Sequence, residues 1–285
     1  MKTKKKLMII TGGIVAIILL IIAFIPAIMQ SLGIHPRYDG PTFKVAGKKA
    51  LIITTSHDLL APIGKTDGDP TGVFASEMTH PYYVFLEAGM DVDVASIKGG
   101  EIPVEPQSFL YPIISDEDKR FRKDPVFQAK VKNSIRIDDI DFGEYDVVFL
   151  SGGWGAAYDL AQSDVLARKI SDAYYSEKKT IIGSVCHGPL GFVNAKDQEG
   201  NLLIAGRRMT GVTDKQVKEL GIEFTPKHPE TELRKAGVIF ESSTAFRDFF
   251  ATHVTVDDEQ RFVTGQNQNS GLEAAHKITE LLSNR

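Results

Sequence analysis

The chain has 285 residues, 42% hydrophobic and 25% charged, with a formal net charge of −4. That composition sustains a sizeable globular core, and without a basic surplus there is no case for nucleic acid as a partner. A single cysteine excludes an intrachain disulfide framework and any multi-cysteine zinc site.

Lys2, Lys4, Lys5 and Lys6 make residues 1–6 a basic flank, and the uncharged run LMIITGGIVAIILLIIAFIPAIM follows at 7–29. A hydrocarbon core of about 30 Å needs about 20 apolar residues as helix, whereas the apolar region of a cleaved signal is usually about 7–15. The run is therefore expected to be an uncleaved, single-pass membrane anchor. The lysines put the amino terminus in the cytoplasm and the remainder outside it, although Arg37, Lys44, Lys48 and Lys49 on the far flank nearly balance them. Residues 30–49 carry Gly, Pro and charge without periodicity and read as a linker into a domain over 50–285.

The domain opens on Ala50-Leu51-Ile52-Ile53-Thr54-Thr55, a run suited to a buried parallel strand. A helix is expected over 72–88, stopped by Gly89, and the alternating 91–96 is the next strand. Residues 97–143 are polar and punctuated by proline, with one helix over 125–133. The β/α rhythm then returns with a strand over 145–151, a turn at Gly152-Gly153-Trp154-Gly155 and helical character over 156–176. A strand over 180–185 leads into an elbow helix at 189–194. Short strands are expected near 202–204, 238–241, 253–256 and 262–263, and a last helix over 271–282. This alternation specifies a mostly parallel sheet with helices on both faces, whose sites lie beyond the carboxyl ends of strands.

One such end carries the only cysteine, in Ser184-Val185-Cys186-His187-Gly188-Pro189. A strand that stops on a nucleophile and turns at once into a helix is a nucleophile elbow, which holds the side chain up at the sheet edge. There the helix end and the neighbouring imidazole of His187 are expected to lower the thiol pKa. The plain alternative is a small core hydrophobe. The glycine turn at 152–155 lacks the spacing of a dinucleotide fingerprint and there is no P-loop, so it is either an oxyanion-hole loop or a tight β–α turn. Trp154 walls a pocket or caps the core. Glu77 lies among apolar neighbours in a helical stretch. Local sequence alone favours a solvated helix face, and the alternative is a buried carboxyl bonded to the cysteine. His57, Asp58 and His80 lie near the first β–α loop without metal-ligand spacing, and no metal is expected. The acidic clusters at 138–141 and 257–259 read as solvated loops.

In order along the chain, LIITTSH at 51–57, GVFASE at 72–77, PYYVF at 81–85, SGGWG at 151–155, CHGP at 186–189, Thr210-Gly211 and VTGQN at 263–267 resemble the ThiJ/PfpI superfamily. The branch most resembled is the heat-shock, glyoxalase-III-like one. The resemblance implies a flavodoxin-like three-layer α/β/α sandwich, shared with class I glutamine amidotransferases. It implies Cys186 as nucleophile, His187 as its proton partner, Glu77 as the carboxyl on the thiol, and Gly153 and Trp154 in the oxyanion-hole loop. Trp154 stands where the branch often has histidine. Lys215 and Val217 stand where a glutamate that orients the histidine is expected, with Asp214 and Glu219 the acids nearby.

The implied activity is conversion of an aldehyde or dicarbonyl, typified by methylglyoxal to lactate, without a cofactor, and a homodimer is the expected assembly. The competing expectations are a cysteine amidase or peptidase using the same thiol, and a membrane-tethered chaperone or redox sensor.

Overall fold

The computed structural model describes the backbone of residues 2–285 and the side chains of residues 8–285, so the lysine side chains of the basic flank lie outside the described residues. A long helix, α1 (Lys2–Ser31), precedes the domain. Strand β1 (Lys49–Thr54) opens the domain, followed by a small hairpin of β2 (Leu59–Leu60) and β3 (Asp69–Pro70) and by helix α2 (Ala75–Glu87). Next come β4 (Asp91–Ser96), α3 (Asp116–Phe121), α4 (Pro125–Lys132), β5 (Ile135–Arg136) and β6 (Val147–Leu150). Helices α5 (Ala156–Asp159) and α6 (Asp164–Tyr175) lead to β7 (Ile181–Val185). The last third holds β8 (Arg208–Met209), α7 (Asp214–Leu220), α8 (Pro229–Lys235), β9 (Ile239–Phe240), β10 (Val254–Val256), β11 (Phe262–Gly265) and α9 (Gly271–Ser283).

Seven strands form one sheet in the order β10-β11-β7-β6-β1-β4-β5. Every pairing is parallel except β10 with β11. Strand side chains alternate between two cores, as a period of two requires. Ala50 and Ile52 join α2, α4 and α9 on one face, whereas Leu51 and Ile53 join α6 on the other. The order of connection reverses between β1 and β6. That leaves a crevice at their carboxyl ends, the usual location of a site in such sheets.

Several boundaries differ from expectation for identifiable reasons. Of the stretch near 202–204 only Leu202 pairs, in an isolated bridge with Lys196, and the short strand of that region is β8, paired with β9. The elbow leads into a 3₁₀ turn, Gly188–Phe192, instead of an α-helix. The helix expected over 156–176 is broken in two, with Ser163 capping α6 by accepting the Leu166 N–H. Helices α7 and α8 are too short to show an apolar period, yet their punctuation is present. Thr213 caps α7 by accepting the Gln216 N–H, Gly221 closes it at φ +69°, and Pro229 opens α8.

The segment 30–49 packs along the domain. Ile34 is buried, the His35 N–H donates to Asn269 Oδ1 at 2.9 Å, and the Val45 N–H donates to the Ala88 carbonyl at 2.8 Å. The 257–259 cluster is not all solvated. Asp257 is buried, pairs with Arg207 at 2.5 Å, and accepts the Arg261 and Phe262 N–H groups.

Candidate active site

Cys186 follows directly on β7 with φ +62°, a left-handed conformation that costs about 1–3 kcal/mol for a residue bearing a side chain. The backbone around it is clamped. Its N–H donates to the Gly265 carbonyl at 3.0 Å and its carbonyl accepts the Val212 N–H at 3.1 Å. The elbow also needs its glycine, because a Cβ at Gly188 would lie 2.2 Å from the Leu150 carbonyl oxygen.

Glu77 sits in the first turn of α2, and every residue of that helix from Ala75 to Phe85 is buried. The helix is covered on the side local sequence would leave wet, because α3 and α9 pack against it as well as β1 and β4. The Ser151 hydroxyl donates to the Glu77 carbonyl at 2.9 Å and ties α2 to the end of β6. The glycine turn then closes over the carboxyl. A Cβ at Gly152 would lie 2.6 Å from Glu77 Oε2 and 2.5 Å from the His187 nitrogen, and a Cβ at Gly153 would lie 2.4 Å from both Gly72 O and Phe74 N. Gly153 also has φ +87°, so both space and backbone demand glycine there.

The polar groups facing the Glu77 carboxyl are the Cys186 thiol and the Gly152 and Gly153 N–H groups. Burial outweighs them and pushes the carboxyl up to about 8. Burial, and then the Glu77 charge, push the Cys186 thiol well above its usual range, against the N–H groups of Gly153 and His187 that face the sulfur. The expected lowering of the thiol pKa is thus reversed. A single 3₁₀ turn offers little dipole, and desolvation of a thiol only 5% exposed dominates.

His187 Nδ1 lies 3.4 Å from Cys186 Sγ. Burial, reinforced by His228, holds this imidazole down at about 3, so it is neutral at physiological pH. Its Nε2 has no hydrogen-bond partner among the described residues. Neither nearby acid supplies one. Asp214 accepts the Thr231 hydroxyl at 2.7 Å, and Glu219 accepts the Asp248 N–H at 2.8 Å. Lys215 turns away to Asp248 at 2.8 Å.

Glu77, Gly153, Trp154, Cys186 and His187 all line one cavity of about 280 Å³. Of the rest of its wall, sequence reasoning had singled out Glu219 but passed over Phe74, Ile113, Val212, Phe249 and Gln268. These come from separate loops, and only the Gln266-Asn267-Gln268-Asn269 polar run next to β11 carried a signal. The Gln268 side chain is buried with its Nε2 unpartnered. The other histidines of the first loop are used locally. His57 stacks on Tyr158 at 4.1 Å, and His80 Nε2 lies 3.4 Å from Glu117.

A parallel α/β sandwich with a cysteine elbow, a glycine turn and a buried glutamate is the arrangement the sequence motifs implied. The DJ-1/PfpI family profile matches residues 71–281, and the chain belongs to that family. It is 31% identical over 225 residues to the Candida albicans protein named glyoxalase 3, covering 75% of this chain and 90% of that one. It is 27% identical over 248 residues to a Saccharomyces cerevisiae protein named glutathione-independent glyoxalase, covering 84% of this chain and 100% of that one. Among solved structures, rapid encystment protein 24 kDa of Francisella tularensis superposes with a TM-score of 0.74 at 30% identity, covering 82% of this chain and 99% of that one. Glyoxalase III from Candida albicans superposes at 0.71 with 28% identity, covering 81% and 95%. Helix α1 lies outside the family match.

Proposed function

We propose that this protein is a glutathione-independent glyoxalase that converts a 2-oxoaldehyde such as methylglyoxal to the 2-hydroxy acid. The observation that carries the reading is the convergence of thiol, imidazole and a largely protonated carboxyl on one cavity, the Cys186 sulfur 3.4 Å from His187 Nδ1.

In the resting site all three groups are neutral. As Cys186 sulfur bonds to the aldehyde carbon, the thiol proton passes to His187 Nδ1. The aldehyde oxygen takes its negative charge beside the Gly153 and His187 N–H groups, which face the sulfur and serve in this reading as the oxyanion hole. Glu77 protonates that oxygen and the hemithioacetal is complete. The Glu77 carboxylate then removes the proton from the same carbon while His187 gives its proton to the neighbouring carbonyl oxygen, yielding an enediol. Return of the Glu77 proton to the second carbon, with the hydroxyl proton of the first going to His187, leaves a thioester. Water cleaves it. Its proton returns to Glu77, the leaving sulfur takes the proton of His187, and the resting state is restored. We assign the ketone oxygen to the Gln268 amide, which is unpartnered in the cavity wall.

The test is lactate formation by the full chain in detergent micelles from methylglyoxal without glutathione. We expect turnover that Cys186→Ala abolishes. No lactate, or lactate undiminished by Cys186→Ala, overturns the reading. A chaperone activity would survive that substitution.

The proposal includes anchoring by residues 7–29, with the domain outside the cytoplasm. Its support is a helix in which Met8–Ser31 forms a 24-residue apolar stretch with none of it buried, about 36 Å long at 1.5 Å per residue. Retention in membranes after alkaline carbonate washing is expected. A mature chain beginning near residue 30 would show a cleaved signal instead, and a domain protected from protease in intact cells would reverse the orientation.

A further inference from the structure

The cavity around Cys186 is larger and less polar than methylglyoxal requires. Its volume of about 280 Å³ corresponds to roughly nine non-hydrogen atoms at the ~30 Å³ a water takes in the liquid. Methylglyoxal has five. The surplus space is walled by Phe74, Ile113, Trp154, Val212, Phe249 and Phe250. Among the described residues no lysine lines it; besides Glu77 its charged lining is Glu219, which is turned to the Asp248 N–H, and Arg247, which is exposed like Gln107.

Close in sequence to the cavity lining stand apolar side chains that the domain leaves exposed. Leu110 is 57% exposed, Tyr111 54% and Phe246 94%. These residues adjoin the lining residues Ile113 and Arg247 in sequence. The same wall is fastened to the end of α1. The Tyr111 hydroxyl donates to the Ile22 carbonyl, and His35 Nε2 lies 2.7 Å from the Ile113 carbonyl. Gly33 passes so close to Phe250 that a Cβ would lie 2.3 Å from its carbonyl oxygen. The apolar helix therefore holds the Ile113–Phe250 side of the mouth against whatever covers the helix. An unburied apolar stretch of 24 residues is covered by lipid far better than by water.

We infer that the physiological substrate is a 2-oxoaldehyde bearing an apolar alkyl or aryl tail, taken up from a lipid surface on which the Leu110, Tyr111 and Phe246 rim rests. The inference rests on the glyoxalase reading and narrows it. The chemistry is unchanged. The oxoaldehyde gains one water, the aldehyde carbon ends as carboxyl and the ketone carbon as a secondary alcohol, and the tail takes no part. The tail lies along the phenyl-lined wall, and a tail longer than the cavity leaves beside Ile113 and Phe250 toward α1.

The experiment compares methylglyoxal, phenylglyoxal and a series of straight-chain alkyl glyoxals as substrates of the full chain in detergent micelles. Burial of a methylene is expected to raise kcat/KM by about fourfold. The rise should continue for about four added carbons, the spare volume at ~30 Å³ each, and then level off. A second arm reconstitutes the chain in phosphatidylcholine and phosphatidylglycerol vesicles loaded with dodecylglyoxal. Phe246→Glu and Leu110→Glu lie outside the cavity wall and should leave methylglyoxal turnover unchanged while cutting turnover of the vesicle-borne substrate at least tenfold. Methylglyoxal turnover with a flat or falling chain-length series overturns the inference and leaves the glyoxalase reading standing. Rim variants that process the vesicle-borne substrate like the parent overturn the lipid route. Failure to turn over any member, methylglyoxal included, overturns the glyoxalase reading and this inference with it.

Discussion

Replacing Glu77 by glutamine separates a buried acid from a solvated helix residue by two independent readouts. The carboxyl rises from its ordinary 4.5 to about 8 in the folded protein, and at ~1.36 kcal/mol per pH unit this corresponds to about 5 kcal/mol. The sign follows from proton uptake. Between those values the native state holds a proton that the unfolded chain has lost, so this contribution is fully present below about pH 4.5 and is lost as pH rises through about 8. For a chain of this size about 1.4 kcal/mol moves the melting midpoint by roughly 3–5 °C. Glutamine keeps the shape, facing its oxygen to the Gly152 and Gly153 N–H groups and its amide to the thiol, but it cannot ionise. The assay is the melting midpoint of parent and Glu77→Gln in detergent micelles at pH 5, 6, 7 and 8. The variant should gain on the parent by roughly 3–5 °C for each pH unit across that window. Its Cys186-dependent turnover should fall by at least about a hundredfold, the scale of a lost general acid–base group. A midpoint difference that stays constant with pH refutes the buried-acid assignment. So does undiminished turnover.

Three further outcomes test the physical picture of the site and core. Iodoacetamide should alkylate Cys186 at pH 7.5 at least about tenfold more slowly than a free thiol, because burial and Glu77 disfavour the thiolate; a rate at or above that of glutathione would show a thiolate stabilised in the pocket. Gly153→Ala forces a side chain into φ +87° with its Cβ 2.4 Å from Gly72 O, and should cost at least about 2 kcal/mol, read as a midpoint lower by about 4 °C or more. An unchanged midpoint would mean the turn relaxes freely. Arg207→Met strips the partner from buried Asp257 and should cost about 3–5 kcal/mol in urea unfolding, whereas Arg208→Met, whose pair with Glu241 is solvent-exposed, should leave the urea midpoint nearly unchanged.

The resemblance motifs and the strand-end cysteine were enough to bring Cys186, His187 and the glycine turn to the carboxyl edge of the sheet, since elbow and turn are written in adjacent residues. The parallel sheet was legible for the same reason, with β1, β6 and β7 each a short apolar run and β4 an alternating one, all close to their expected bounds. The helices α7 and α8 were missed although their caps, Thr213, Gly221 and Pro229, stood in the sequence. A helix of two turns shows punctuation without periodicity. Asp257 was misjudged because its ionic partner, Arg207, lies 50 residues away in sequence.

By itself, then, the sequence determined what local chemistry controls: an apolar amino-terminal helix, the order of strands and helices, and a cysteine that must leave β7 through a strained turn. Tertiary structure alone decided the electrostatics of the site. Whether Glu77 meets water depends on α3 and α9 covering α2, and that burial, more than any neighbouring charge, raises both the carboxyl and the thiol. It also decided that neither Asp214 nor Glu219 reaches His187, and that Phe249 and Phe250 join Phe74 around one cavity. Burial and cavity walls are sums over residues distant in the chain, so no window of sequence contains them.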